Sequence, residues 1–420
     1  MRPSNLFTTA VVTGALLTLA ACGQGGPGAS AGGALTDDKV VLAVLNDASG
    51  VYKDLSGPNS VEAVRMAVDD YKAAHGADAV AKTIEVISAD HQNKPEIANT
   101  KAQEMYDRQQ ADLILDVPTS SAALAVAKQA ATKKKLFIDI GAASTELTGK
   151  QCNRYTYHWA YDTYMLANGT GTTVTANGAK KWSIIYPDYA FGQDMTKSFT
   201  AAVTKAGGTV GTTIPTPFPN DNFATFLTKA AASKPDVIGT MQAGGDLINL
   251  VKQYNEAGLR QQGIGLSVGL MFITDIHSLG VEPFAGTTFT EAWYWNFDET
   301  NRAWAEKFTA RTKTRPSFAH AANYSAALQY LEAVQAAGSD DAEKVIGQLD
   351  GKKLQDVFLR GATIRAEDHR VIHDVYLAQV KTAAEVTGDW DYEKILSTIP
   401  AERAFRPVAD STAAGCTLAG

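Results

Sequence analysis

Asp112-Leu113-Ile114-Leu115-Asp116, then Ser120 to Thr132, then Leu136-Phe137-Ile138 place a short apolar strand, an alanine-rich helix and a second short apolar strand in succession. Two strands joined through a helix need a crossover, and crossover-linked strands lie parallel under covering helices. Toward the N-terminus the pattern repeats. Val40 to Leu45 reads as a buried strand, and Val61, Val64, Ala67, Val68 and Tyr71 mark one face of the next helix, capped by Asn59 or Ser60 behind Pro58. Ile84-Glu85-Val86-Ile87 is a further strand and Pro95 to Arg108 a further helix.

A second series starts after Gly178. Its strands are Trp182 to Tyr186, Thr209 to Ile214, Val237 to Met241 and Ile264 to Val268, and its helices are Gln193 to Ala206, Asn222 to Ser233 and Asp246 to Ala257. Gly207-Gly208, Pro235-Asp236 and Gly258 mark the stops. The spacing then predicts a strand over Gly286 to Trp295, helices over Asn301 to Thr312 and Asn323 to Ala337, and a short helix over Val345 to Leu349. Ala362-Thr363-Ile364 and Val371 to Val380 read as strands, and the end, with Trp390-Asp391-Tyr392, Pro400 and Pro407, as an irregular extension. The fold class expected is α/β with two separate cores.

The chain has 420 residues and a formal charge of -7, from 38 Lys plus Arg against 45 Asp plus Glu. That balance disfavours a nucleic-acid partner, which needs a concentrated cationic surface. Three cysteines exclude a disulfide-dense scaffold but leave room for one bridge. One cysteine ends a distinctive leader: Arg2 precedes an apolar stretch from Leu6 to Ala21 that closes Leu19-Ala20-Ala21-Cys22. This matches an export signal and resembles a bacterial lipoprotein signal, in which Cys22 is acylated after removal of residues 1–21. A generic secretory signal is the alternative. Residues 22–37 read as a Gly- and Ala-rich tether, so the membrane contact expected is through the lipid.

Tyr52-Lys53-Asp54-Leu55-Ser56-Gly57-Pro58, Thr119-Ser120-Ser121, Gly141-Ala142-Ala143-Ser144-Thr145-Glu146-Leu147-Thr148, Asp188-Tyr189-Ala190-Phe191-Gly192-Gln193 and the segment Phe223 to Gly258 occur in one order. In that order the sequence resembles the type I periplasmic binding proteins of branched-chain amino-acid ABC importers. Ser49-Gly50-Val51-Tyr52, His158 to Tyr164, Ala243-Gly244-Gly245-Asp246, Trp293-Tyr294-Trp295 and Trp390-Asp391-Tyr392 bring it nearer the subgroup for aromatic carboxylates.

The resemblance implies two Rossmann-like lobes with a three-strand hinge: residues 38–159 and 286–361 in lobe one, 160–285 and 362–395 in lobe two, and 396–420 packed back near the hinge. It implies a small organic acid bound between the lobes, an ABC permease as partner, an extracytoplasmic location, a monomer and no cofactor. A tail tied beside the first crossing also belongs to the resembled subgroup, which in an exported body assigns Cys152 and Cys416 to a disulfide. Two separate thiols are the alternative.

Carried over residue by residue, Tyr52 and Ser56 stand in the first wall. Ser120 and Ser121 open a helix whose unpaired N–H groups can seat a carboxylate. Ala142, Ala143 and Ser144 form a neighbouring loop, Tyr161 and Asp162 flank the first crossing, and Tyr189, Phe191, Gln242, Ala243, Gly244, Met271 and Phe272 face them from the other lobe. Eight of them have a plainer reading: Ser120 and Ser121 as helix caps, Tyr52 as local packing, Tyr161 and Asp162 as hinge bonds, and Phe191, Met271 and Phe272 as core. Ser120, His158 and Asp162 hold the atoms of a hydrolytic triad without a nucleophile-elbow motif. Asp368, His369, His373 and Asp374 offer donors to a metal but read better as surface hairpin polarity, and no dinucleotide fingerprint is present. The ligand expected is a small, aromatic carboxylate; a branched-chain amino acid, another aliphatic or neutral solute, and a sensory rather than transport role stay open.

Overall fold

The computed structural model describes residues 35–418; the signal, Cys22 and most of the tether lie outside the described residues. Val40–Asn46 (β1) is buried at every position. It lies between Ile84–Asp90 (β2) and Leu113–Asp116 (β3), followed by Leu136–Asp139 (β4) and Thr156–His158 (β5), in an all-parallel sheet of order β2-β1-β3-β4-β5. A strand covered on both faces needs an unbroken apolar run, which Val40 to Leu45 provides.

Helices Gly57–His75 and Phe318–Ala337 pack together over this sheet. Both begin earlier than the sequence predicts. Ser56, not Asn59 or Ser60, is the cap residue of the first. The second starts at Phe318 because Ser317 and His320 cap it reciprocally, Ser317 N–H reaching His320 Nδ1 at 2.9 Å. It shows only a weak apolar stripe because nearly its whole circumference is buried, with alanines admitting the neighbours.

The second sheet is also parallel: Lys181–Pro187 (β6), Thr209–Thr216 (β7), Val237–Thr240 (β8) and Gly265–Val268 (β9), in order β7-β6-β8-β9. Six short strands complete the body: Thr288–Glu291 (β10), Lys353–Leu354 (β11), Ala362–Ile364 (β12), Val371–Ile372 (β13), Val375–Val380 (β14) and Glu393–Ile399 (β15). They form two antiparallel sheets, β10-β14-β15 and β11-β12-β13.

These sheets move the lobe boundaries. Phe289 of β10 and Ala378 and Val380 of β14 share a core with Leu247, Val251 and Val268, so residues 286–291 belong to the second lobe. Arg370, beside β13, bridges His158 in parallel and continues the first sheet, so 362–372 belong to the first lobe. The single strand expected over Val371 to Val380 is therefore two strands in two sheets, interrupted at His373-Asp374 where the chain crosses. The strand expected over Gly286 to Trp295 ends at Glu291, and the tail holds β15 where an irregular extension was expected.

The hinge explains why the 368–374 stretch misleads. Asp368, His369 and His373 are buried, not on a surface hairpin. His369 stacks on Tyr157 with ring centroids 4.1 Å apart, and His373 Nε2 lies 2.7 Å from Ala160 O. Arg370, also buried, donates to His158 O at 2.7 Å and pairs with Asp162 at 3.1 Å. Beyond the strands, Cys416 is disulfide-bonded to Cys152 with Cα atoms 5.4 Å apart. Arg406 reinforces that seam by donating to Thr145 O and Thr148 O at 3.1 and 3.0 Å.

Candidate ligand site between the lobes

The C-terminal ends of the parallel strands converge where the two lobes meet, the place at which open α/β sheets present loops to a ligand. In the first lobe, Asp47 organises the turn after β1 by accepting Gly50 N–H at 2.6 Å, Tyr52 N–H at 2.8 Å and Asn93 Nδ2 at 2.5 Å. Asn93 Oδ1 in turn takes the Thr119 hydroxyl, tying three strand-end loops together. Where β3 ends and leads to the helix Ser120–Lys133, Asp116 and Val117 both have left-handed backbone, with φ of 82° and 60°. That conformation is costly for a branched side chain and points to a site the surrounding fold holds under constraint.

Ser120 opens that helix, 1% exposed, and its Oγ has no hydrogen-bond partner among the described residues. Thr119, not a serine, is the cap residue. Ser121 beside it is half-buried. A buried hydroxyl without a partner, beside first-turn N–H groups that no helix carbonyl can reach, is a seat for an anion.

The second lobe supplies rings. Tyr52 and Tyr189 join hydroxyl to hydroxyl at 2.6 Å across the gap. Phe218 packs on both, with centroids 4.5 Å from Tyr189 and 5.4 Å from Tyr52, and Phe191 stands 6.0 Å from Tyr189. Deeper in, Phe272 stacks on Phe318 at 4.4 Å, and Tyr161 meets Phe318 edge-on at 5.0 Å while donating to Gly141 O at 2.6 Å. Gly245 N–H reaches Val51 O at 3.0 Å. Gly244, at φ +55°, admits this approach because a Cβ there would collide with Val51 O. The lobes thus touch through Tyr52, Val51 and Phe318 on one side and Tyr189, Gly245 and Phe272 on the other.

Burial pushes the Tyr52 hydroxyl pKa well up, helped by Tyr189. Asp246, in the first turn after Gly244, is buried and accepts Asn220 N–H at 3.0 Å. Burial raises its carboxyl to about 7. Gln242, fully buried behind Ala243, donates its amide to Thr216 Oγ1 at 3.0 Å and leaves Oε1 unpartnered among the described residues. At the rim a cavity of ≈ 420 Å³ takes Ser56 and His320 from the first lobe and Thr274, His277 and Trp390 from the second.

Other expected residues have different work. Met271 is packed in the second lobe's core with Leu247, Ile276 and Phe284, the core reading among those the sequence left open. Asp162 caps the following helix by accepting Met165 N–H at 2.8 Å and pairs with Arg370, the hinge role among its readings. Ala143 O accepts Thr163 N–H, Ala142 O receives His158 Nε2 at 3.0 Å, and Ser144 Oγ accepts Glu146 N–H at 3.3 Å. Burial and the Arg370 guanidinium hold the His158 pKa well below its ordinary value. With Ser120 Oγ unpartnered, no Ser–His contact of a triad forms.

Phe218 and Phe318 were absent from the residues expected. Phe218 lies in Pro217-Phe218-Pro219 just beyond β7, where two prolines hold a ring at a strand end; Phe318 follows Arg315-Pro316-Ser317 at a helix start. Those flanks were the available signals.

Two parallel sheets with helices on their faces, crossed by a hinge and closing over converging strand ends, define the α/β periplasmic-binding-protein type I fold. The sequence matches the family model described as periplasmic binding protein over residues 39–385. It is similar to a periplasmic binding protein of Burkholderia mallei, with 42% identity, 88% of this chain and 96% of that one covered, and a TM-score of 0.84. It is also similar to a branched-chain amino-acid ABC transporter periplasmic ligand-binding protein of Burkholderia xenovorans, with 34% identity, 89% and 98% covered, and a TM-score of 0.78. A Rhodopseudomonas palustris solute-binding protein in complex with 3,4-dihydroxybenzoic acid shares the fold at 22% identity, with 87% and 98% covered and a TM-score of 0.76. No curated protein matches. The chain belongs to the periplasmic binding protein family: it is an extracytoplasmic solute-binding protein, not an enzyme.

Proposed function

We propose that the protein captures a small aromatic carboxylate between its lobes and delivers it to an ABC importer, held at the membrane by lipid on Cys22. The observation that carries the ligand class is the buried Ser120 Oγ at a helix start, unpartnered among the described residues, in a molecule whose lobes meet through aromatic rings. A carboxylate there accepts from the hydroxyl and first-turn N–H groups, while Tyr52, Tyr189, Phe218 and Phe272 cover a ring. Relatives at the fold level were solved with benzoate and with 3,4-dihydroxybenzoic acid, which supports this reading. Closure brings Tyr52 to Tyr189, and the lobes are proposed to part about the crossings near 159–163, 292–298 and 373–374.

A second reading, an amino-acid ligand, has its own observation: Asp246 is a buried carboxyl close enough to the tyrosine pair to raise the Tyr52 pKa, and it offers an acceptor to an ammonium. Calorimetry on the mature protein separates the two. Benzoate-like and phenylpropenoate-like acids should bind, their amides and branched-chain amino acids should not, and S120A/S121A should weaken the acids about 10- to 100-fold. Tight leucine or valine binding abolished by D246N and indifferent to S120A/S121A would replace the first reading with the second. Co-purification with a permease distinguishes import from sensing.

A further inference from the structure

Resting on the aromatic-carboxylate reading, the geometry points to Gln242 as a specificity determinant: we infer that its Oε1 receives a hydrogen-bond donor, a phenolic hydroxyl, on the ligand end remote from the carboxylate. The hydrogen bonds around Gln242 decide which way its amide faces. Thr216 Oγ1 has one proton, which goes to Tyr186 O at 3.3 Å. It therefore accepts from the amide nitrogen, Gln242 Nε2, at 3.0 Å. Nε2 is thereby turned toward β7, and Oε1 is left as an acceptor with no donor among the described residues, in a side chain with no exposed surface.

Its position is that of a reading group. Gln242 follows β8 by two residues and precedes Ala243-Gly244-Gly245, the stretch that touches Val51 and Tyr52 of the first lobe. Thr216, its partner, ends β7 two residues before Phe218, whose ring lies on both Tyr52 and Tyr189. The acceptor thus follows a strand end of the second lobe, as the Ser120 helix start follows a strand end of the first. Ser120 can donate to a carboxylate; Gln242 Oε1 can only accept. A carboxylate seated at Gln242 would meet an acceptor, so the two orphaned groups set the ligand's direction as well as its ends. A buried acceptor lacking its donor discriminates strongly against a ligand without one, which a purely apolar pocket does not do.

Calorimetry with benzoate, 4-hydroxybenzoate and 4-methoxybenzoate on the mature wild-type protein tests this. The hydroxylated acid should bind about tenfold or more tightly than the other two. In Q242L that preference should fall to within about threefold, with benzoate binding more tightly than to wild type because no acceptor is left without a donor, whereas T216V, which leaves the Gln242 acceptor in place, should keep a preference for the hydroxylated acid. Acids that bind with no hydroxyl preference in wild type overturn the inference while the aromatic-carboxylate reading stands. A preference undiminished in Q242L with native circular dichroism overturns it too. Should Q242L not fold, the wild-type comparison of the three acids together with Q242M, which also lacks the acceptor, decides. If no aromatic acid binds at all, the underlying reading falls and the inference with it.

Discussion

Ser144 and Ser120 sit within one lobe, each beside the start of a helical segment, and their hydroxyls are used in opposite ways. Ser144 Oγ accepts Glu146 N–H, just as Asp162 nearby accepts Met165 N–H and pairs with Arg370. Ser120 Oγ has no hydrogen-bond partner among the described residues, and neither has Gln242 Oε1 in the second lobe. Around the first crossing Ser144, Asp162 and Arg370 each hold a partner within the chain, and at the strand ends Asp47 and Asn93 do so too. Burial alone does not separate a structural polar group from a binding one. Between these two serines the difference is whether the fold already satisfies the hydroxyl.

This contrast can be broken at the hinge first. R370M leaves Asp162 buried without its cation, and the expected loss is about 3–5 kcal/mol of unfolding free energy in urea. A loss below about 1 kcal/mol would mean the hinge is not held by this pair. C152S/C416S should cost about 2–4 kcal/mol, because the unfolded chain regains a loop of 264 residues' separation. Ligand affinity should change little in that variant, since the bridge ties the tail to the 145–152 segment rather than to the strand ends.

The helix-start serines sharpen the contrast directly. S144A removes an acceptor that satisfies a backbone N–H, so about 1 kcal/mol of stability should go with it. S120A removes a hydroxyl that the fold does not use and should lie within about 0.5 kcal/mol of wild type. Equal losses at the two positions would erase the distinction between the two serines.

The smallest effect concerns pH. Asp246 has its folded pKa raised to about 7 from an ordinary value of 3.8 by burial. Between those values the native state holds a proton the unfolded chain has released, so this group makes stability fall as pH rises from about 4 to about 7. D246N removes that dependence. Its melting temperature relative to wild type should therefore be higher at pH 8 than at pH 5; the opposite slope would place an ionised carboxylate at Asp246 in the folded protein.

Much of the fold was legible because its signals are local. Val40 to Leu45 and Leu113 to Leu115 are unbroken apolar runs, and only strands covered on both faces need them. Val371 to Val380 fails as a single strand because its composition is strand-like throughout, whereas the break at His373-Asp374 is made by carbonyls of the other crossing. His369 and His373 look like surface polarity for the same reason: the partners that bury them, Tyr157 and Ala160, lie more than two hundred residues away.

The site divides along the same line. Ser120, Tyr52, Tyr189 and Gln242 were visible as polar or aromatic residues at strand ends and helix starts, and Phe218 between two prolines left a trace. Met271 and Phe272 were indistinguishable as neighbours, yet one enters the second lobe's core and the other stacks on Phe318 across the gap. By itself the amino-acid sequence determined two α/β cores, their strand order in time, and a set of chemically suitable loop residues, because strand and helix periodicity depend on neighbours within a few positions. Only the tertiary structure decided where the chain crosses between lobes, which buried polar groups the hinge consumes, and which are left free, because a hydrogen bond is satisfied by whatever atom the whole fold brings within about 3 Å.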